Sequence, residues 1–259
     1  MDGVNQTLYI PLYGKALVSR KGILLQDQKA EEIWAAEGFS LKGKSKSKWL
    51  AYYMGMRSAV FDRWVKEKMQ TQPCSIVLHL GCGLDNRIGR VNPQSGDWYD
   101  VDFPAVIQQR KRHYAEIANY HMVGSDVRET DWLDMVVGDS AIVVMEGISM
   151  YLRPEELENL LAGLCRRFET VFLLMDCYTT FAARMSKIKN PINDVGVTEV
   201  YGLDDPKTLE STGLCYVAEK EMTPEDMICQ LDGLEQKLFR KLYAGKTSKK
   251  LYRMYEFSK

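Results

Sequence analysis

The residues equipped for chemistry in this chain sit where apolar runs stop. Residues 76–91 read IVLHLGCGLDNRIGRV, an apolar stretch that ends at Gly81-Cys82-Gly83 and passes into a charged, helix-compatible segment. Three later apolar runs end in Asp100 and Asp102, in Ser125-Asp126-Val127, and in Glu146-Gly147. In an open parallel sheet, ligands bind beyond the carboxyl ends of the strands. Glycine there lets backbone approach a ligand closely, and carboxylates accept hydrogen bonds from hydroxyl and amino groups. Four such ends in succession point to a nucleotide-like ligand. Asp100 and Asp126 also suit helix caps, and Cys82 suits a small turn filler better than a nucleophile. Glu146 follows Val-Val-Met, and a carboxylate at the end of a buried strand is costly without a partner.

A dinucleotide fingerprint, G-x-G-x-x-G, needs a third glycine so that the helix can approach a pyrophosphate. Here that position is Asn86, and Asp85 beside it carries a negative charge towards the expected phosphates. The turn therefore disfavours NAD. Asp102 stands about twenty residues past the turn, where an acid suits any adenosine ribose.

These ends need elements to hold them. Residues 75–80, 97–102, 120–124, 141–145, 170–175, 214–218 and 251–257 read as strands. The inner ones lack strict alternation, as strands covered on both faces do. Residues 47–70 carry Tyr53, Val60, Phe61, Trp64, Val65 and Met69 at a helical period, and Pro73 ends that helix. Pro104 suits the start of a helix running to about residue 118, with Val106, Ile107, Arg110, Tyr114 and Ile117 on one face. Pro154 opens another, striped by Leu157, Leu160, Leu161, Leu164 and Phe168. Thr223-Pro224-Glu225-Asp226 combines a hydroxyl cap, proline and two acids, followed by an apolar stripe of Met227, Leu231, Leu234, Leu238 and Leu242. Strands alternating with amphipathic helices predict an α/β fold, doubly wound around a mostly parallel sheet.

The expected organisation is one domain over residues 1–259. It comprises an N-terminal helical section (1–72), a cofactor-binding core (73–178), an inserted substrate cap (179–212), and C-terminal strands and helix (213–259). Within these, residues 29–36 read as a short helix and 42–48 as a solvated basic loop, while the cap contains Asn190-Pro191.

The 259 residues are 46% apolar and 27% charged, ordinary for a globular domain. A formal net charge of −1 supplies no field to recruit nucleic acid or anionic lipid, so neither is an expected partner. The first residues lack a basic segment followed by a long apolar core, and no apolar run approaches a membrane span. Six scattered cysteines without a C-x-x-C pair argue against a disulfide framework or zinc site, so no metal is expected and a reducing cytoplasm is.

In this order, GCGLDNRIGRV, WYDVDFP, GSDVR and MEGISMYL are similar to motifs of the class I S-adenosylmethionine-dependent methyltransferases. Within that superfamily the chain resembles the leucine carboxyl methyltransferase family, which includes tetracenomycin-type polyketide O-methyltransferases. TLYIPLYGKALVSRKGILLQDQKAEEI resembles that family's N-terminal section. The resemblance implies a seven-stranded Rossmann-like methyltransferase sheet, with S-adenosylmethionine as cofactor and S-adenosylhomocysteine as product. It also implies roles. Gly81 and Gly83, flanking Cys82, let the backbone pass the cofactor's methionine portion. Arg57, in YMGMRSAVFDRW, holds the cofactor's carboxylate, a task suited to its bidentate fork. Lys15, in YGKALVS, assists it. Asp102, with Phe103 beside it, accepts the ribose hydroxyls, while Asp126 and the Val127 backbone read the adenine edge. Glu146, followed by Gly147, meets the amino group or the sulfonium region.

Methyl transfer is an in-line displacement in which alignment supplies much of the rate. A carboxylate acceptor is already ionised near neutral pH, whereas a hydroxyl acceptor generally needs a base. His79 lies inside a strand, His113 falls on a helix face expected to be exposed, and His121 begins a strand. None ends a strand, which favours a carboxylate acceptor without excluding a hydroxyl assisted by Tyr, Asp176 or Glu146. Tyr151, Tyr178 and Tyr201 are positioning candidates, placed to shape an aromatic-friendly pocket or simply to pack. The expected activity is O-methyl transfer to a carboxylate or hydroxyl of a small-molecule metabolite. The alternatives are a protein C-terminal carboxyl methyltransferase, a nicotinamide-dependent oxidoreductase, and a non-catalytic methyltransferase-like module.

Overall fold

Every residue of β1 (Ile76–Leu80) is buried, as a continuous apolar run requires of a strand covered on both faces. Parallel to it lie β2 (Trp98–Asp102) on one side and β4 (Ser140–Met145) on the other. Beyond these come β3 (Tyr120–Gly124) and β5 (Thr170–Tyr178), then β7 (Tyr252–Ser258) and, at the edge, β6 (Cys215–Lys220). The order β3-β2-β1-β4-β5-β7-β6 makes a seven-stranded sheet, parallel except that β7 runs against both its neighbours. The strand order reverses between β1 and β4, which creates the crevice where such sheets bind ligands. The computed structural model describes residues 8–41, 43–186 and 199–259; Lys42 of the basic loop and Asn190-Pro191 of the cap lie outside them.

Three N-terminal helices precede the sheet, α1 (Tyr9–Arg20), α2 (Gln28–Glu37) and α3 (Lys48–Thr71); α1 and α3 line the crevice, and α2 packs on α1. Tyr9, Leu12 and Ile33 form a core between α1 and α2, and Asp27 caps α2 by accepting the Ala30 N–H at 2.9 Å. After β1 the chain enters α4 (Arg87–Val91), after β2 it enters α5 (Pro104–Arg110), and α6 (Pro154–Arg167) follows β4. Alternate residues of each strand feed opposite faces. Ile76, Leu78 and Leu80 pack with the α6 leucines, whereas Val77 joins Phe61 and Trp64 of α3 on the other face.

Four elements depart from the expectations of sequence. In the basic segment 42–48, Gly43–Lys46 forms a 3-10 turn with Ser45 buried, and Lys48 opens α3. The helix after Pro104 stops at Arg110 instead of continuing to residue 118, and Ile117 is exposed. Arg110 is drawn inward to Asp100 and to Tyr120 at 3.0 Å, so the chain must turn there to begin β3. Strand β5 runs on to Tyr178, because the antiparallel ladder with β7 pairs Asp176, Cys177 and Tyr178 as well. Finally, the helix after Thr223 is broken into α8 (Glu225–Ile228) and α9 (Gly233–Tyr243), with α7 (Thr180–Ser186) lying earlier, after β5. Pro224, not Thr223, takes the N-cap position. The break at Asp232-Gly233 rotates the pattern: Met227, Leu231 and Phe239 are buried, whereas Leu234, Leu238 and Leu242 are exposed.

Candidate functional site

The carboxyl ends of β1 to β5 open into one cavity of about 720 Å³, within the roughly 300–1,000 Å³ range of small-molecule sites. Every cofactor-side residue expected from sequence lines it: Lys15, Arg57, Gly81, Cys82, Gly83, Asp102, Phe103, Asp126, Val127, Glu146 and Gly147. Tyr151 and Tyr178 line it too. Tyr201 does not. It lies by a separate small cavity, with its hydroxyl donating to Glu199 at 3.3 Å.

The glycine turn and Asp102 form one unit. Asp102 Oδ2 accepts the Gly83 N–H at 2.7 Å and Oδ1 accepts the Phe103 N–H at 2.8 Å. Each oxygen keeps acceptor capacity for a ligand. Burial outweighs those two bonds and pushes the carboxyl up to about 6. Gly81 and Gly83 both hold positive φ, +65° and +53°. The steric reason differs from the one expected at Gly81, where a Cβ would strike Ile148 Cγ2 at 2.0 Å. Beneath the turn, Arg110 donates to the Gly83 carbonyl at 3.1 Å and pairs with Asp100.

Asp100 is therefore neither a helix cap nor a ligand residue. It also accepts from Trp98 Nε1 at 2.8 Å and Tyr120 Oη at 2.6 Å. Burial alone would raise its carboxyl, but the Arg110 charge and the His79 bond bring it down to about 2. His79 lies between Asp100 and Arg87, and burial and the Arg87 charge lower its pKa. His113 is half-buried rather than exposed and meets Glu37 at 2.7 Å; His121 meets Asp97 at 3.0 Å. Burial pushes the Cys82 thiol well up, which suits a filler and not a nucleophile.

Arg57 and Glu146 anchor the opposite wall. Arg57 Nε donates to Glu146 Oε1 at 3.0 Å, while Nη1 donates to Asp176 Oδ2 at 3.1 Å and to Tyr252 Oη at 2.9 Å. Among the described residues, Nη2 takes no protein acceptor. Gly147 faces it: a Cβ there would stand 3.3 Å from both terminal nitrogens. Glu146 also accepts from Ser58 Oγ at 2.8 Å and from Arg87. Burial would raise Glu146, but Arg57, Arg87 and Lys15 hold its carboxyl far below the usual range. Asp176 is raised by burial despite Arg57, and accepts the Gly147 N–H at 2.6 Å.

Asp85, expected from sequence to repel a pyrophosphate, carries no unpaired charge. Lys15 Nζ lies 2.9 Å from Asp85 Oδ1, and Arg90 Nη1 reaches the same oxygen at 2.6 Å. Burial opposes ionisation, yet Arg90, Lys15 and Arg87 keep the carboxyl well below its usual range. Its charge is neutralised within the protein. Asp126 caps no helix: it accepts the Arg128 N–H at 3.1 Å, shaping the turn after β3, and lines the cavity. The hydrogen bond from the Arg128 side chain lowers its pKa.

Sequence reasoning missed Tyr252 and Tyr53 and underrated Asp176. Because β7 is antiparallel, its first residue lies at the carboxyl edge of the parallel strands, with Tyr252 opposite Tyr178. Only the tyrosine at the start of a last strand signalled this.

A doubly wound sheet with a glycine turn after β1 and carboxylates after β2, β3 and β4 defines an α/β enzyme that binds an adenosine-bearing cofactor at its strand ends. Residues 5–165 match the leucine carboxyl methyltransferase family. The chain is 33% identical over 214 residues to the tetracenomycin polyketide synthesis O-methyltransferase TcmP of Streptomyces glaucescens, covering 82% of this chain and 79% of that protein. It belongs to the leucine carboxyl methyltransferase family and is an S-adenosylmethionine-dependent methyltransferase. The fold is shared with a DUF574 family protein from Streptomyces avermitilis (TM-score 0.58, 14% identity, 88% and 89% of the two chains). It is also shared with the magnesium protoporphyrin IX methyltransferase of Synechocystis, solved with bound S-adenosylhomocysteine (TM-score 0.52, 10% identity, 88% and 93%). The residues present fit the cofactor, since Arg57 Nη2 has no acceptor among the described residues and Asp102 keeps acceptor capacity beside the glycine turn. No helix among the described residues is long and apolar enough to cross a membrane.

Proposed function

We propose that this enzyme transfers a methyl group to an oxygen of a small aromatic metabolite, most favourably a carboxylate. The observation that carries this reading is an aromatic wall in the same cavity as the acids and glycines. Tyr178 and Tyr252 meet with ring centroids 5.0 Å apart, Tyr53 stands 6.3 Å from Tyr252 and 5.9 Å from Tyr243, and all four line the cavity. Such a wall suits a flat ring system.

When bound, S-adenosylmethionine supplies an electrophilic methyl group. In this reading Arg57 and Lys15 hold its amino-acid end, Asp102 takes the ribose hydroxyls, and Asp126 with the Val127 backbone flanks the adenine. Glu146, already held by three protein donors, acts chiefly by orienting Arg57. Tyr151 and Tyr178 position the acceptor, and residues 179–212, as a cap on a single domain, select it.

The preference for a carboxylate rests on the groups around the acceptor. Burial raises the phenols of Tyr53 and Tyr252, which leaves them protonated donors rather than bases. Asp176 is occupied by Arg57, Tyr252 and Gly147, and His79 is enclosed by Asp100 and Arg87. An ionised carboxylate needs none of them as a base. A cytoplasmic setting is supported by six unpaired cysteines.

Mass spectrometry for methyl gain, with paired aromatic acids, the corresponding phenols and a leucine-terminated peptide, tests the reading. Ester formation on the acids is expected. Methylation of phenols alone would overturn the carboxylate preference, and methylation of the peptide alone would overturn the small-molecule acceptor.

A further inference from the structure

Tyr252 and Arg57 are 195 positions apart in sequence, yet the Tyr252 hydroxyl closes a triangle with Arg57 and Asp176. It accepts from Arg57 Nη1 at 2.9 Å and donates to Asp176 Oδ2 at 2.7 Å, while Nη1 reaches that same oxygen at 3.1 Å. The ring has little freedom, being buried and packed edge-on against Tyr178 at 5.0 Å. Glu146 fixes Nε from the other side at 3.0 Å. A planar guanidinium held at Nε and Nη1 has its third nitrogen set by geometry. That nitrogen is Nη2, beside Gly147.

We propose that Tyr252 is a positioning residue for cofactor binding. Its hydroxyl locks Nη1 of Arg57 against Asp176 and so presents Nη2 to the carboxylate of the cofactor's amino-acid end. Tyr252 thus serves both halves of the cavity, with its ring in the aromatic wall and its hydroxyl acting through Arg57. This rests on the reading of Arg57 as the carboxylate-holding residue. Asp176 alone still reaches Nη1, but it is then a single acceptor that has lost its phenolic donor.

The test separates hydroxyl from ring and carboxylate from the rest of the cofactor. Tyr252→Phe keeps the ring, and 5′-methylthioadenosine keeps the nucleoside and sulfur while lacking the amino acid. Calorimetry on the full chain should show Tyr252→Phe weakening S-adenosylhomocysteine by about five- to tenfold, the scale of one ordinary hydrogen bond. Binding of 5′-methylthioadenosine should stay within about twofold, the change a distant contact leaves. Acceptor KM should be unchanged. Equal weakening of both ligands, or unchanged S-adenosylhomocysteine affinity, would overturn the proposal. Arg57→Lys, measured alongside, distinguishes the two failures. If it does not selectively weaken S-adenosylhomocysteine, the Arg57 reading itself falls. If it does and Tyr252→Phe does not, only the role of Tyr252 falls. In the Arg57→Lys background Tyr252→Phe should add little, and full additivity would also count against the coupling.

Discussion

Lys15 Nζ lies 2.9 Å from Asp85 Oδ1, with both side chains shielded from water. The pair ties the first helix of the N-terminal section to the turn that follows β1. Arg90 joins it and extends the network to Asp27, the α2 cap, and to Asp62 on α3. Cofactor turn and N-terminal helices are thus one electrostatic unit. Removing one charge from such a unit leaves its partners buried and unpaired, a loss of about 3–5 kcal/mol. Asp85→Asn should therefore lower unfolding stability in a denaturant titration by about that amount. It should not create NAD binding, because Asp85 is already neutralised by its neighbours. NAD binding by Asp85→Asn in calorimetry would restore the repulsion argument.

If Asp102 takes the ribose hydroxyls as proposed, it sets a pH limit on cofactor affinity. Its carboxyl, raised by burial to about 6, gains a proton as pH falls through that value. The proton occupies an oxygen meant for a ribose hydroxyl, so affinity is full above and lost below. Calorimetry from pH 8 to 5 should show S-adenosylhomocysteine weakening towards about tenfold per pH unit on the acid side. Asp102→Asn should bind weakly at every pH in this range. A wild-type affinity that is flat across the range would remove Asp102 as an ionised acceptor.

Gly81 faces two separate penalties. A side chain there would adopt a φ of +65° and meet Ile148 at 2.0 Å. Gly81→Ala should cost about 1–2 kcal/mol for the left-handed backbone and about 1–3 kcal/mol for overpacking. Adding Ile148→Ala should recover part of the loss relative to Ile148→Ala alone, and never all of it. Complete recovery would mean that the backbone conformation carries no cost.

Acceptor and cofactor recognition should separate at α7. Phe181 lines the cavity and is largely exposed. Phe181→Ala should raise KM for an aromatic acceptor about three- to tenfold, the worth of a partly buried ring. S-adenosylhomocysteine affinity should not move. If instead the cofactor's affinity falls and acceptor KM holds, α7 belongs to the cofactor's half of the cavity.

The sequence by itself determined the strands, the sheet class and the turn after each parallel strand. Those features follow from interactions between near neighbours: apolar periodicity, proline at helix starts, and glycine where a strand ends. It also marked the acids that line the cavity, because strand direction alone sends every parallel carboxyl end to one edge. Tertiary structure decided what those acids face. Glu146 meets Arg57 across 89 positions, Asp176 meets Arg57 across 119 and Tyr252 meets it across 195. No local pattern encodes such partners. Where α5 stops and how the C-terminal leucine stripe breaks belong to the same class, since the pull of Arg110 on Asp100 overrides a helical period that sequence would have continued. The physical reason is common to all: periodicity reports which side of an element turns inward, whereas the pairing of buried charges depends on which elements that side meets.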